Sequence, residues 1–119
     1  MSSVQATKTS DPSIVKTIDV YELKELMDGT KQFQLIDCRE PDEYEFCNIG
    51  GELIPVGEIE SSLDRIRKDI PVVVQCRSGA RSGRVVQVLQ QRYGFTNLHN
   101  LEGGILAWSD EIDPDVPKY

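Results

Sequence analysis

Apolar and polar positions along the chain switch between helical and strand periods, and the switches fall at glycine and proline. After Ile18-Asp19-Val20, Asp19-x-x-Glu22 has the form of a helix capping box. Leu23, Leu26 and Met27 then share one helical face, and Gly29 marks its stop. Gln34-Leu35-Ile36-Asp37-Cys38 reads as a short buried strand, and Glu40-Pro41-Asp42-Glu43-Tyr44 carries the proline and acids suited to a first helical turn. Gly50-Gly51-Glu52-Leu53-Ile54-Pro55 reads as a turn and a brief strand. Ile59, Leu63 and Ile66 predict the apolar face of a helix running to about Lys68, before Pro71 breaks the chain. Val72-Val73-Val74 is the strongest strand signal, and a run apolar on both faces predicts a central, parallel strand. From Arg81 to Tyr93, Val85, Val86, Leu89 and Tyr93 recur at helical spacing, with Gly94 at the expected stop. Asn97 to Leu101 predicts one more strand, Gly103-Gly104 opens a last short helix through Trp108, and Asp110 to Tyr119 reads as a tail along the surface.

This alternation, without internal repeats, predicts a single α/β domain over residues 18–119, with a mostly parallel sheet of about five strands and helices on both faces. Residues 1–17 are polar and read as a tail or linker. In open sheets of this kind ligands bind beyond the C-terminal ends of the strands, so the end of Val72–Val74 is the first place to look for chemistry.

Composition narrows the classes. A chain of 119 residues with 39% hydrophobic and 28% charged residues holds one ordinary globular core, which argues against a wholly disordered chain. No apolar run approaches the roughly 20 residues that span a bilayer, so no membrane association is expected. Met1 to Ile14 lacks the basic and apolar regions of a secretory signal, and the expected compartment is cytoplasmic. A net charge of −7 argues against nucleic acid as a partner. Within that negative chain, Ile70 to Leu101 holds no acidic residue but does hold Arg77, Arg81, Arg84 and Arg92. The segment is either a buried strand and helix with solvated arginines or an anion-attracting site. Three cysteines, Cys38, Cys47 and Cys76, form no C-x-x-C pair and argue against a disulfide framework. With one histidine, His99, a structural zinc site is not expected either.

The segment after the strongest strand decides between the two readings of the arginines. Gln75-Cys76-Arg77-Ser78-Gly79-Ala80-Arg81-Ser82 leads from a strand through a tight glycine-containing loop into a helix N-terminus. Such a turn points successive N–H groups inward, and the helix dipole adds partial positive charge. A thiol at Cys76 would lie at the mouth of that cradle. The N–H groups, with Arg77 and Arg81, would lower its pKa and supply the thiolate that nucleophilic chemistry requires. Ser78, Gly79, Ala80 and Ser82 keep the loop narrow, and Gly83 inside the following helix predicts close backbone packing beneath it.

Cys76-Arg77-Ser78-Gly79-Ala80-Arg81-Ser82 resembles the active-site loop of rhodanese domains, which carry sulfur as a cysteine persulfide. Leu35 to Tyr44 resembles that family's first signature, usually written with Val where Cys38 stands. Gly94-Phe95-Thr96-Asn97 and Leu101 to Trp108 resemble its C-terminal segment, so the resemblance spans Ile18 to Trp108. Asn48 departs from a family position that usually holds His and that reads as structural. The related tyrosine and dual-specificity phosphatases place five residues between Cys and Arg, whereas Arg77 to Ala80 are four. The smaller ring suits one persulfide sulfur better than a phosphoryl group, and no Asp stands beside the loop as a general acid.

The resemblance implies a sulfurtransferase of the thiosulfate:cyanide type that needs no cofactor. Cys76 would attack a sulfane donor such as thiosulfate, or take sulfur from a cysteine desulfurase, and pass it to a thiophilic acceptor. Arg77 is expected exposed at the mouth and Arg81 partly structural at the helix start. Asp37 and Arg39 would support the site or the fold as an ion pair. Cys38 is read as core packing. Cys47 is either inert or a resolving thiol, with no positive charge near it in sequence. His99 is read as packing or surface, and Trp108 as a core anchor. Tyr44 to Pro55 and the ending from Trp108 resemble rhodanese domains fused behind adenylyltransferases that serve a small sulfur-carrier protein, which makes both possible partners beside a free-standing domain. The alternatives are a non-catalytic rhodanese-like docking or regulatory module, or a small cysteine-dependent phosphatase or arsenate reductase.

Overall fold

β4 (Val72–Gln75) is the centre of a five-stranded parallel sheet of order β1-β5-β4-β2-β3. The computed structural model describes residues 11–119, so the first ten positions of the expected tail lie outside the described residues. The other strands are β1 (Thr17–Ile18), β2 (Gln34–Asp37), β3 (Glu52–Leu53) and β5 (Leu98–Leu101). The helices are α1 (Val20–Asp28), α2 (Pro41–Phe46), α3 (Ala80–Tyr93) and α4 (Gly104–Glu111). Every residue of β4 is buried, as a strand covered on both faces must be.

The two faces of the sheet make two cores. Ile36, Cys38, Val72, Val74 and Cys76 pack under Val85, Val86 and Leu89 of α3. On the opposite face Val73 and Leu101 meet Val20 and Leu23 of α1 and Trp108 of α4. The capping box at α1 is formed: Glu22 N–H donates to the Asp19 carboxylate at 2.8 Å, and Asp19 N–H to Glu22 at 2.9 Å. Among the described residues no helix is long and apolar enough to cross a membrane.

The helix expected over Ile59 to Lys68 does not form. Two short 3-10 turns, Val56–Glu58 and Leu63–Arg65, stand in its place, and Ile66 is extended. Side chains of β2 and of the residue just before β5 hold this backbone open. Gln34 donates to the Arg65 carbonyl at 2.8 Å and accepts from Arg67 N–H at 2.8 Å, while Asn97 donates to the carbonyls of Arg67 and Ile70. Ile59 and Ile66 are still buried, so the apolar spacing reported burial and not helix.

Both ends of the described chain return to the domain. The Gln90 amide donates to the carbonyls of Pro12 and Ile14, and Thr17 pairs with Asn100 as the sheet edge. At the other end Ser109 donates to the Val116 carbonyl at 2.6 Å, and Val116 packs on the second core. The last residues, expected along the surface, thereby reach the C-terminal edge of the sheet.

Candidate active site

Cys76 follows β4 directly, and Cys38 follows β2, its neighbour in the sheet. The loop from Cys76 closes at Gly79, whose φ of 104° lets α3 start at Ala80. A Cβ at Gly79 would lie 3.3 Å from the Leu101 carbonyl oxygen and 3.4 Å from Gly103 N. On the far side, Ile105 N–H donates to the Cys76 carbonyl at 2.9 Å, and Leu106 N–H to the Arg77 carbonyl at 3.1 Å. The free N–H groups at the start of α4 therefore turn the loop carbonyls outward. With the carbonyls so engaged, the N–H groups of Gly79 and Ser82 point at the Cys76 sulfur, at 3.1 and 3.4 Å.

Ser82 Oγ lies 3.3 Å from the sulfur and also bonds Asn100 Oδ1, so its single proton serves one acceptor at a time. Asn100 in turn donates to the Gly79 carbonyl at 3.1 Å. Gly83 leaves room for it: a Cβ there would come within 3.2 Å of Asn100 Nδ2. The neighbour that Gly83 makes room for is a side chain, not the backbone that a glycine inside a helix led us to expect.

These groups bring the Cys76 thiol down to about 4. The largest cause is a hydrogen bond from the Cys38 thiol; burial opposes it, and Ser82 and the N–H groups of Ser82 and Gly79 add to it. Cys38 itself is pushed well above the ordinary thiol range, by the same bond and then by burial. It is the donor of the pair. Sequence alone places Cys38 in the core and assigns the low pKa to N–H groups and arginines. Cys38 is in the core, with no exposed surface, and that core is the one Cys76 belongs to.

The arginines are turned elsewhere. Arg77 is exposed, as are Ser78 and Ala80. Its guanidinium stacks over the Tyr119 ring at 5.0 Å and donates to the Tyr119 backbone oxygen. Arg81 forms a two-point ion pair with Glu43 of α2, both bonds 2.8 Å, and Glu43 also accepts from the Tyr119 hydroxyl at 2.7 Å. That pairing lowers Glu43 to about 2 and raises Arg81. Asp37 and Arg39 form a wholly buried pair, with bonds of 3.0 and 2.7 Å. Arg39 also donates to the Cys47 carbonyl at 2.7 Å and to the Tyr119 hydroxyl at 3.0 Å, and its partners lie outside the Cys76 loop.

The remaining singled-out residues fall away from the sulfur. Cys47 Sγ is buried against the Pro117 carbonyl at 3.4 Å, with Arg39 Nη1 at 4.0 Å, so a positive charge does stand beside it. Asn48 bonds the Tyr44 carbonyl and the Gly50 N–H, closing the end of α2. His99 pairs with Val73 inside the sheet, and burial holds its imidazole below the ordinary value. Trp108 is buried in the second core. Tyr119, which links Arg39, Glu43 and Arg77, had no local sequence signal, because its position depends on the tail folding back.

A cysteine of lowered pKa in an N–H-lined loop, at the C-terminal edge of a parallel sheet, is the arrangement the fold presents. The family model described as "Rhodanese-like domain" matches residues 19–111, and the chain belongs to that family. A protein of Bacillus subtilis called "Uncharacterized protein YqhL" is 38% identical over 100 residues, covering 83% of this chain and 76% of its own length. "Probable adenylyltransferase/sulfurtransferase MoeZ" of Mycobacterium tuberculosis is 34% identical over 106 residues, covering 87% of this chain but only 27% of its own length. The chain thus spans about a quarter of that relative. Among solved structures, a rhodanese-like domain protein of Staphylococcus aureus superposes with a TM-score of 0.75 at 31% identity, over 88% of this chain and 99% of that one.

Proposed function

We propose that this chain is a sulfurtransferase that carries sulfane sulfur on Cys76 as a persulfide. The observation that carries this reading is the Cys76 sulfur held by the N–H groups of Gly79 and Ser82 and by the Cys38 thiol, with its pKa near 4. At neutral pH such a sulfur is a thiolate. It attacks the outer sulfur of a donor such as thiosulfate, a new S–S bond forms, and sulfite leaves with the electron pair of the broken bond. An acceptor nucleophile then takes the outer sulfur and returns the thiolate; with cyanide the product is thiocyanate. Arg77, Ser78 and Ala80 face outward at the mouth, where Arg77 suits an anionic donor. The family membership and a relative named as a sulfurtransferase support the same class of chemistry.

The fusion in that relative's name favours a small sulfur-carrier protein, or the adenylyltransferase that activates it, as acceptor. A cysteine desulfurase is the protein donor of the same chemistry. The test is intact mass after incubation with thiosulfate, alongside Cys76→Ala. The expected result is gain of one sulfur atom that cyanide removes and that the variant lacks. Well-folded protein that takes no sulfur from thiosulfate or a desulfurase would leave a non-catalytic docking module as the account of the fold.

A further inference from the structure

We propose that Cys38 is an internal resolving thiol, which releases the sulfur carried on Cys76 as hydrogen sulfide by forming a Cys38–Cys76 disulfide. The inference rests on the persulfide reading of Cys76. It starts from register. Ile36 pairs with Val74 and Asp37 with Gln75, and Cys38 N–H donates to the Gln75 carbonyl at 3.0 Å. Cys38 and Cys76 are therefore the next neighbours across two parallel strands. Neighbouring strands lie about 4.8 Å apart, inside the roughly 4.4–6.8 Å between Cα atoms that a disulfide spans.

The side chains also lie on one face. Ile36, Cys38, Val74 and Cys76 belong to the same core, whereas Val73 belongs to the other. Of the groups around Cys76, the Cys38 thiol does most to lower its pKa. Cys47, the other candidate for resolution, bonds the Pro117 carbonyl and faces Arg39 instead. Cys38 has no exposed surface, so an outside thiol or oxidant does not reach it in the folded chain. Its accessible partner is Cys76 and what Cys76 carries.

The step balances without an outside oxidant. The persulfide anion on Cys76 takes the Cys38 proton onto its outer sulfur. Cys38 Sγ then attacks Cys76 Sγ; the Cys38–Cys76 bond forms and the bond from Cys76 to the outer sulfur breaks. The outer sulfur leaves with the electron pair as hydrosulfide. One persulfide and one thiol become one disulfide and one hydrosulfide. The resting pair returns when a dithiol reductant exchanges with the disulfide. In the absence of an acceptor, the domain thus converts sulfane sulfur to sulfide at the expense of a dithiol.

The experiment uses the full chain, reduced, freed of small thiols and loaded with thiosulfate under anaerobic conditions. The wild type should release about one sulfide per chain, and peptide mapping after alkylation should join Cys38 to Cys76 while Cys47 is alkylated. Cys38→Val, whose Cys76 thiolate forms at a higher pH, should gain sulfur more slowly than wild type, release no sulfide, and give the sulfur it gains up to cyanide. Sulfide release from Cys38→Val equal to wild type would overturn the proposal, as would a wild type that keeps its persulfide with Cys38 free. The mapping of the wild type stands even if Cys38→Val does not fold. Absence of added sulfur in both proteins is a different failure: it removes the persulfide reading, and the resolving step falls with it.

Discussion

The backbone N–H of Ile105 donates to the carbonyl of Cys76 at 2.9 Å, so the start of α4 is fastened to the first residue of the loop. The approach depends on Gly104, whose φ is +58° and where an added Cβ would stand 2.5 Å from the carbonyl oxygens of both Cys76 and Arg77. Gly104→Ala should destabilise the fold by roughly 1–3 kcal/mol, the usual cost of a strained backbone position. It should also slow alkylation of Cys76 by misaligning the loop N–H groups. Urea unfolding and an iodoacetamide rate on one preparation check both; an alanine variant with unchanged stability and rate would refute the fastening role.

The Cys76 thiolate should persist far below the ordinary thiol range. Its alkylation rate should titrate with a midpoint near the folded-state value of about 4. Because the folded pKa lies below the ordinary 9.0, this group adds stability in full above pH 9, and the contribution falls away as pH drops through about 4. Cys38→Val removes the leading cause. A hydrogen bond to a charged group is worth about 1.5–3 kcal/mol, so the midpoint should rise by roughly one to two units. An unmoved midpoint, read by ultraviolet thiolate absorbance, would mean that Cys38 does not set the pKa.

Asp37→Asn leaves the guanidinium of Arg39 buried without its counter-charge. Breaking a buried pair on one side costs about 3–5 kcal/mol, and chemical denaturation should show a loss of that order. Replacing both residues by apolar ones should cost less than the single change. A single variant as stable as wild type would show that Arg39 is held by the Cys47 and Glu43 carbonyls and Tyr119 without Asp37.

The ion pair of Glu43 with Arg81 carries a pH signature. The folded pKa of Glu43 is about 2 against an ordinary 4.5, so its stabilisation is full above 4.5 and is lost as pH falls through about 2. The stability difference between wild type and Glu43→Gln should therefore be constant from neutral pH to about 5 and shrink toward zero near pH 2. A difference that does not change across that range would assign the effect to packing of α2.

Tyr119 comes from the far end of the chain to bond Arg39, Glu43 and, beside Cys76 in sequence, Arg77. Tyr119→Ala should free the Arg77 guanidinium and speed alkylation of Cys76 several-fold at constant pH. An unchanged rate would place the barrier to Cys76 in the loop itself.

Elements whose signals are local were legible in the chain before any fold was known. The Asp19–Glu22 capping box, the all-buried β4, the glycine at the head of α3 and the cysteine at the strand end all read correctly because each rests on neighbours within a few residues. Gly83 read as a close approach, but the approach is to the Asn100 side chain and not to backbone. The rest came from the packing of distant segments. Ile59 and Ile66 kept the burial their spacing promised and Leu63 is half-buried, but Gln34 of β2 and Asn97 just before β5 bound the backbone that a helix would have used. Cys38 read as core because its neighbours in sequence are apolar; its thiol meets Cys76 only because β2 lies beside β4. Tyr119 reaches the site only because Val116 packs on the second core. A local pattern specifies hydrogen bonds between near neighbours, whereas the company of a buried sulfur is set by strand order, which no stretch of a few residues contains.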